Sequence, residues 1–123
     1  MLQAGLTYTS KVRVDEGNLA RTMGSGDLAV FATPSMIALM ENAAMNAVAT
    51  ELPEGATTVG AMMNTTHLRP SALGAEISAV ATLKEVDGRK LTFEVVAKDG
   101  GQVIGEGTHV RYVVDRVRFM GKL

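Results

Sequence analysis

The sequence predicts a single α+β domain, residues 1–123, in which a curved antiparallel sheet of five or six strands wraps around one long helix. From Pro34 to about Leu52 there is no glycine or further proline, and Ala, Leu, Met and Glu dominate, which is typical of a helix. The segments that flank this stretch alternate apolar and polar residues, which is typical of strands. Short glycine-containing turns at Asp87-Gly88 and Asp99-Gly100-Gly101 indicate hairpins, and hairpins join antiparallel strands.

The N-terminal third holds a strand, a loop and the start of the helix. Between Leu6 and Val14, apolar residues alternate with Thr, Lys and Arg, so we predict a half-buried strand. A glycine-rich loop from Met23 to Asp27 is followed by an apolar run from Leu28 to Phe31, which we predict to be a short strand. Thr33 directly precedes Pro34, and this order predicts an N-cap residue followed by a proline at the first helical position.

After the helix, which Pro53 should end, the pattern predicts four more strands. They cover Thr57–Arg69, Ile77–Val86, Leu91–Ala97 and Val103–Asp115. Gly105 and Gly107 interrupt the last strand, and glycines in such a position indicate a bulge or the close approach of another backbone. One helix covers only part of such a sheet, so we expect the remaining apolar surface to be buried in a homodimer or a dimer of dimers.

Composition and charge exclude several classes of function. The formal net charge is −1, with 12 basic and 13 acidic residues, which argues against a nucleic-acid or anionic-membrane partner. There is no cysteine, so disulfides, thiolate metal sites and a cysteine nucleophile are excluded. No apolar run reaches the roughly 18 residues that cross a bilayer, and the first residues lack the layout of a signal peptide. We therefore expect a cytoplasmic protein.

Glu41 is the most informative residue of the chain. On a helical wheel it lies between Ile37 and Met45, in the middle of the apolar arc of the predicted helix. A carboxylate at such a position must be paired, hydrogen-bonded or protonated, because a buried unpaired charge costs several kcal/mol. Three interpretations stay open: a structural ion pair with an arginine, opening of this face to solvent, and a functional carboxylate.

The two histidines are candidate partners for Glu41. His67 shares strand parity with Val59 and Met63, so we expect it to face the helix unless a bulge shifts the register. His109 shares parity with Arg111 on the last predicted strand. We take His67 as the better partner for a cavity shared with Glu41, although either imidazole alone is more often structural. Two histidines on different strands and one carboxylate are a weak pattern for a metal site, so none is expected.

The longest recognisable motif is the segment from Ala32 to Ala44, and it is followed by Val59-Gly60, His67 and the closing segment from Gly105 to Asp115. With these residues, in this order and spacing, the chain resembles the hotdog-fold thioesterases and, among them, the fluoroacetyl-CoA thioesterase-like group. The resemblance covers nearly the whole chain. It implies a hotdog fold, a homodimer with its acyl channel between subunits, and hydrolysis of a small acyl-CoA thioester without a cofactor.

The resemblance also implies which residues form the site. Thr33, Glu41 and His67 correspond to the catalytic Thr, Glu and His of that family, Gly60 to a residue beside the reacting acyl group, and Arg111 to a residue near the site. The fluoroacetate-specific enzyme carries a phenylalanine-bearing lid before the helix. The matching residues 23–27 contain no aromatic side chain, so we do not expect fluoroacetyl-CoA to be the substrate.

The predicted chemistry leaves two roles open for Glu41. No Ser or Cys occupies a nucleophile-elbow context, so Glu41 acts either as a general base for water or as a nucleophile that forms a mixed anhydride. His67 would exchange or orient a proton, and Thr33 would hold Glu41 or the acyl group. Two other functions are weighed against hydrolysis: a non-catalytic acyl-CoA or metabolite-binding module, and a hotdog hydratase or dehydratase.

Overall fold

The computed structural model describes all residues from 1 to 123, and its strands form one antiparallel sheet. The strands are β1 (Thr7–Arg13), β2 (Ala56–Thr65), β3 (Glu76–Asp87), β4 (Lys90–Asp99) and β5 (Gln102–Asp115). The helices are α1 (Ala20–Met23), α2 (Thr33–Val48) and α3 (Arg116–Gly121), with 3-10 turns at Glu16–Asn18 and Ala49–Glu51. The strand order is β1-β3-β4-β5-β2, so β1 and β2 are the edge strands. The predicted α+β sheet around one long helix is confirmed, with five strands.

The two predicted hairpins join β3 to β4 and β4 to β5. In each, two residues connect the strands, because Asp87 pairs with Lys90 and Asp99 pairs with Gln102. The first connecting residue, Gly88 or Gly100, has a φ of +61° or +62°, whereas the second does not have a positive φ. This is the backbone of a type II′ turn, which needs glycine at its first position.

The helix boundaries and one predicted strand differ from the expectation. Helix α2 begins at Thr33 with Ala32 as its N-cap, and no side chain caps this end. The prediction that Thr33 is the N-cap is therefore wrong by one residue, and its hydroxyl is free for another partner. The segment from Leu28 to Phe31 is not a strand, since only Val30 and Phe31 form isolated bridges. Before this segment lies the short helix α1, which the sequence did not predict.

Helix α2 buries one side against the sheet, chiefly against β1 and β3. The buried helix residues are Met36, Met40, Ala43, Ala44, Ala47 and Val48. The centre of this buried side is near Met40, about 100° around the helix from Glu41. Glu41 and Ile37 are half-buried and Met45 is exposed, so the apolar arc around Glu41 does not coincide with the side that the sheet buries. The apolar arc is wider than the sheet that one chain provides to cover it.

Glycines and a bulge set the path of β2. The register of β2 against β5 shifts between Gly60 and Met62, so inward-facing positions change parity at this point. Further along, a Cβ on Gly107 would lie 1.9 Å from the carbonyl oxygen of Asn64, and one on Gly105 would lie 2.2 Å from that of Thr66. The predicted close backbone approach at the two glycines of β5 is confirmed. It lets the end of β2 lie directly against β5.

None of the helices is long and apolar enough to cross a membrane.

Candidate active site

The first part of the candidate site is a pair formed by Thr33 and His67. Thr33 is the first residue of α2, and His67 follows the end of β2, where the backbone still bonds to β5 through Thr66 and Leu68. A hydrogen bond of 2.7 Å joins Thr33 Oγ1 to His67 Nδ1. His67 therefore lies on the helix side of the sheet, as predicted. Two residues predicted for the site, Thr33 and His67, thus meet at the N-terminal end of α2.

The imidazole of His67 has one nitrogen without a partner. Its Nε2 is buried and makes no hydrogen bond, although the ring as a whole is only half-buried. Burial lowers the pKa of His67 below 6.5, and an interaction with the Arg69 backbone opposes this shift. The ring is therefore mainly neutral at pH 7. A neutral imidazole with an unused nitrogen can accept or donate a proton when a ligand reaches it.

A cavity of about 260 Å³ adjoins this pair. Thr33 and His67 line it together with Phe31 on the apolar side and Ser25 and Arg69 on the polar side. Arg69 is exposed and forms no salt bridge. The cavity thus combines a hydroxyl–imidazole pair with an unpaired cation, and a ligand with an anionic group could use both.

The second part of the site surrounds Gly60. A Cβ placed on Gly60 would lie 2.8 Å from Glu41 Oε2, 3.4 Å from Arg111 Nη1 and 3.4 Å from His109 Cε1. Three polar side chains, from α2 and β5, therefore converge on the one position of β2 that has no side chain. Glu41 forms no direct salt bridge with Arg111, so the two charges face each other across this gap. A residue larger than glycine would occupy the space between them.

Arg111 and His109 are buried, with 7% and 1% of their surface exposed, and are held by hydrogen bonds. Arg111 Nε donates to Thr58 Oγ1 at 2.8 Å, and Nη2 donates to the Thr58 carbonyl at 2.9 Å. Arg111 Nη1 lies 3.2 Å from His109 Nε2, and His109 Nδ1 lies 2.7 Å from the carbonyl oxygen of Met62. Burial lowers the pKa of Arg111, and the charge of Glu41 opposes that shift.

The pKa of His109 is also lowered below 6.5. Burial is the largest cause, and the positive charge of Arg111 acts in the same direction. The carbonyl of Met62 and the charge of Glu41 oppose it. His109 is thus a mainly neutral ring at pH 7 that lies close enough to Glu41 and Arg111 to sense both charges.

Within one chain, the structure does not bring Glu41 and His67 together. Thr33 and Glu41 are eight residues apart, which is about 12 Å along the helix axis. Strand β2 runs antiparallel to β5, so its middle, at Gly60, lies beside Arg111, and its end, at Thr65, lies beside Gly107. Consequently His67 reaches the N-terminus of α2, and His109 is the histidine next to Glu41. The expectation that His67 shares a cavity with Glu41 stays a prediction, since His109 is the histidine that borders Glu41 at Gly60 within one chain.

The signal that could have identified His109 was present in the sequence. His109 and Arg111 share parity on β5, and both point to the helix side of the sheet. The parity argument for His67 used Val59 as a reference, but the register shift after Gly60 separates Val59 from the later residues. No group of three or more His, Cys, Asp or Glu side chains that could hold a metal ion occurs.

Comparison with known proteins identifies the family. Residues 14–117 match the model of a family described as fluoroacetyl-CoA-specific thioesterase. The fluoroacetyl-CoA thioesterase of Streptantibioticus cattleyicolor is 38% identical over 94 residues, which are 76% of this chain and 68% of that protein. A solved structure of the fluoroacetyl-CoA thioesterase FlK is 31% identical, with a TM-score of 0.92 over 99% of this chain and 95% of the other.

A hot-dog-like protein from Thermanaerovibrio acidaminovorans shares the fold at 20% identity, with a TM-score of 0.88 over 98% of this chain and 90% of that chain. The hotdog fold implied by the sequence resemblance is therefore confirmed. The family match spans most of the chain, including both parts of the candidate site. This chain belongs to the fluoroacetyl-CoA-specific thioesterase family.

Proposed function

We propose that this protein hydrolyses a small acyl-CoA thioester to the free acid and CoA, using Thr33, Glu41 and His67. The observation that carries the proposal is the gap at Gly60, where the Glu41 carboxylate faces the Arg111 guanidinium and no side chain fills the space between them. Membership of the thioesterase family supports the same reaction.

Hydrolysis requires a group that attacks the thioester carbonyl or activates water, and Glu41 can do either. As a general base it takes a proton from water, the hydroxide adds to the carbonyl carbon, and the C–S bond breaks to release the CoA thiolate. As a nucleophile it displaces the thiolate itself, and water then cleaves the mixed anhydride. Transfer of heavy oxygen from labelled water into Glu41 in a single turnover distinguishes the second route.

Thr33 and His67 act on the acyl group or the departing thiolate in this proposal. The imidazole is neutral and its Nε2 is unpartnered, so it can exchange a proton with the reacting groups. The hydroxyl of Thr33 is bound to the ring and is not used for helix capping. Backbone N–H groups at the start of α2 or near Gly60 would stabilise the oxyanion.

We further propose a homodimer, or a dimer of dimers, in which the active site lies near the subunit interface. Strand β2 is an edge strand that pairs only with β5, so its outer edge has no neighbouring strand, and Met62 on it is 42% exposed. On α2, half-buried Ile37 and exposed Met45 flank Glu41 on the side that the sheet does not cover. A second copy paired along β2 would cover these residues. It would also let Glu41 of one subunit approach Thr33 and His67 of the other, which one chain keeps about 12 Å apart.

The proposed substrate carries an acyl group other than fluoroacetyl. The residues before α2 are the short helix α1, whose C-cap Gly24 has a φ of +76°, and the glycine-rich segment that follows it. No aromatic side chain occurs between Met23 and Asp27, so this segment cannot place a ring over the acyl group. We place the reaction in the cytoplasm.

A free-thiol assay with a panel of acyl-CoA thioesters tests the function. We expect release of CoA from at least one short-chain thioester, and loss of release in the Glu41→Gln variant. Binding of every thioester without release would favour the non-catalytic module. Loss or formation of a double bond without free thiol would favour the hydratase or dehydratase.

A further inference from the structure

His109 has a buried position that the proposed reaction does not explain. It lies on β5 opposite Met63, with 1% of its surface exposed, yet both of its ring nitrogens have partners inside the protein. One partner is a backbone carbonyl of β2 and the other is Arg111. Both nitrogens of this buried ring form hydrogen bonds, so His109 links the backbone of β2 to the guanidinium of Arg111.

The two partners determine the tautomer of the ring. The carbonyl of Met62 can only accept a hydrogen bond, so His109 Nδ1 carries the proton and donates it. The guanidinium of Arg111 can only donate, so Nε2 must be bare to accept from Nη1. The ring is therefore neutral while both bonds exist. A proton on Nε2 would break the bond to Arg111 and place two positive charges side by side.

This bond completes the anchoring of the guanidinium. Thr58 accepts from Nε through its hydroxyl and from Nη2 through its carbonyl, which leaves Nη1 without a partner on β2. His109 binds that third nitrogen, and Nη1 is also the guanidinium nitrogen that borders the gap at Gly60. The orientation of Nη1 toward the gap therefore depends on His109.

We infer that His109 is a positioning residue: it accepts a hydrogen bond from Arg111 and thereby holds the guanidinium across the Gly60 gap from Glu41. The carbonyl that fixes the tautomer is supplied at the point where the register of β2 shifts, between Gly60 and Met62. Hydrogen bonds thus link the Met62 carbonyl to the imidazole and the imidazole to the guanidinium, whose Nη1 borders the gap on which Glu41 also lies. The effect on turnover rests on the proposed role of Glu41.

A purely structural role would be to tie Met62 to β5, and two variants separate the two roles. The amide nitrogen of His109→Asn corresponds to Nδ1, so this variant can keep the bond to Met62 but has no acceptor at the position of Nε2, which Arg111 uses. The amide oxygen of His109→Gln corresponds to Nε2, so this variant can accept from Arg111 but loses the bond to Met62. The variants are similar in polarity and differ in which bond they keep.

The experiment measures kcat and KM of both variants on the best acyl-CoA of the panel, with thermal unfolding as the check on folding. Because a misplaced catalytic group costs up to about a hundredfold, we expect kcat of His109→Asn to fall about tenfold below that of His109→Gln, with a smaller change in KM. Equal kcat values, or a lower kcat in His109→Gln, would overturn the inference, since the tie to Met62 would then be the feature that matters.

A second measurement needs neither a variant nor a substrate. In the ¹⁵N NMR spectrum of the labelled wild-type protein at pH 7, a bare ring nitrogen and a protonated one have well-separated shifts. We expect His109 to show a protonated Nδ1 and a bare Nε2, and the opposite tautomer or an imidazolium would contradict the inference. If the wild-type protein released no CoA from any thioester, the proposed function would fail while this result would still decide the hydrogen-bond arrangement.

Discussion

Thr33 Oγ1 and His67 Nδ1 lie 2.7 Å apart, although 34 residues separate them in the sequence. The hydroxyl is free for this bond because Ala32, not Thr33, is the N-cap of α2. The imidazole reaches it because Gly105 and Gly107 let the end of β2 lie against β5. One side-chain hydrogen bond thus joins the start of α2 to the residue that follows the end of β2, beside the cavity that both side chains line.

Removal of the Thr33 hydroxyl should impair turnover more than folding. Thr33→Val keeps the shape of the side chain but leaves His67 Nδ1 without its partner, so we expect kcat/KM to fall about tenfold or more. Thr33→Ser keeps the hydroxyl and should retain more activity than Thr33→Val. Steady-state kinetics of the two variants provide the check, and equal activity in both would show that the hydroxyl is not used.

Glu41 should be the residue whose loss reduces turnover most. In Glu41→Gln the amide keeps the volume but can neither take a proton from water nor attack the thioester, so we expect kcat to fall by about two to four orders of magnitude. Glu85→Gln, an exposed site on β3, is the matched control. Near-normal hydrolysis by Glu41→Gln, measured by thiol release, would rule out the proposed mechanism.

A methyl group at Gly60 should block the site. In Gly60→Ala the added Cβ would lie 2.8 Å from Glu41 Oε2, so the carboxylate must move away from Arg111. We expect a loss of kcat of about a hundredfold, because the shift displaces the reacting group. Gly101→Ala is the control, since a Cβ there meets nothing within 4 Å and the position does not require a positive φ. Thermal unfolding of both variants would show whether the effect is confined to activity.

Stability should decrease as the pH falls below 6.5. The pKa values of His67 and His109 are lowered in the folded state, so the unfolded chain binds protons first and folding becomes less favourable. Their contribution is fully present above pH 6.5 and is lost as the pH falls toward the folded pKa values. Urea unfolding of the wild type between pH 7.5 and about 5.5, a range that brackets the ordinary pKa of histidine, measures the slope. The same series on His109→Gln should give a shallower slope, and an unchanged slope would contradict the assignment.

Assembly can be tested at the two sheet edges. We expect sedimentation velocity at micromolar concentration to give a species of at least twice the 13.0 kDa chain mass. Met62→Lys on β2 should shift the equilibrium toward monomer and lower activity, because it places a charge at the proposed interface. Tyr8→Lys, on the opposite edge strand β1, alters a residue that is 46% exposed and should change neither property. A fully active monomer would argue against a shared site.

Much of the fold was determined by the sequence alone. The four strands after the helix, the two hairpins and the glycine approach on β5 followed from alternation and turn residues, which act locally. The short strand from Leu28 to Phe31 was wrong because apolar character alone does not provide a strand partner, and its residues form only isolated bridges. The helical wheel singled out Glu41, and the family resemblance implied Gly60 and Arg111, which the structure places around the same gap.

Only the tertiary structure decided which residues meet. A helical wheel shows where the apolar arc lies, but the sheet covers only part of that arc. The covered part is centred on Met40 and not on Glu41. Strand parity with Met63, which lies beyond the register shift, placed His67 on the correct face. Parity cannot say how far along the helix a strand residue lies. Strand β2 pairs antiparallel with β5, and its register shifts after Gly60. As a result His67 lies at the start of α2, and His109 lies beside Glu41. Local patterns set which face a side chain takes, whereas long-range strand pairing sets which partner it finds there.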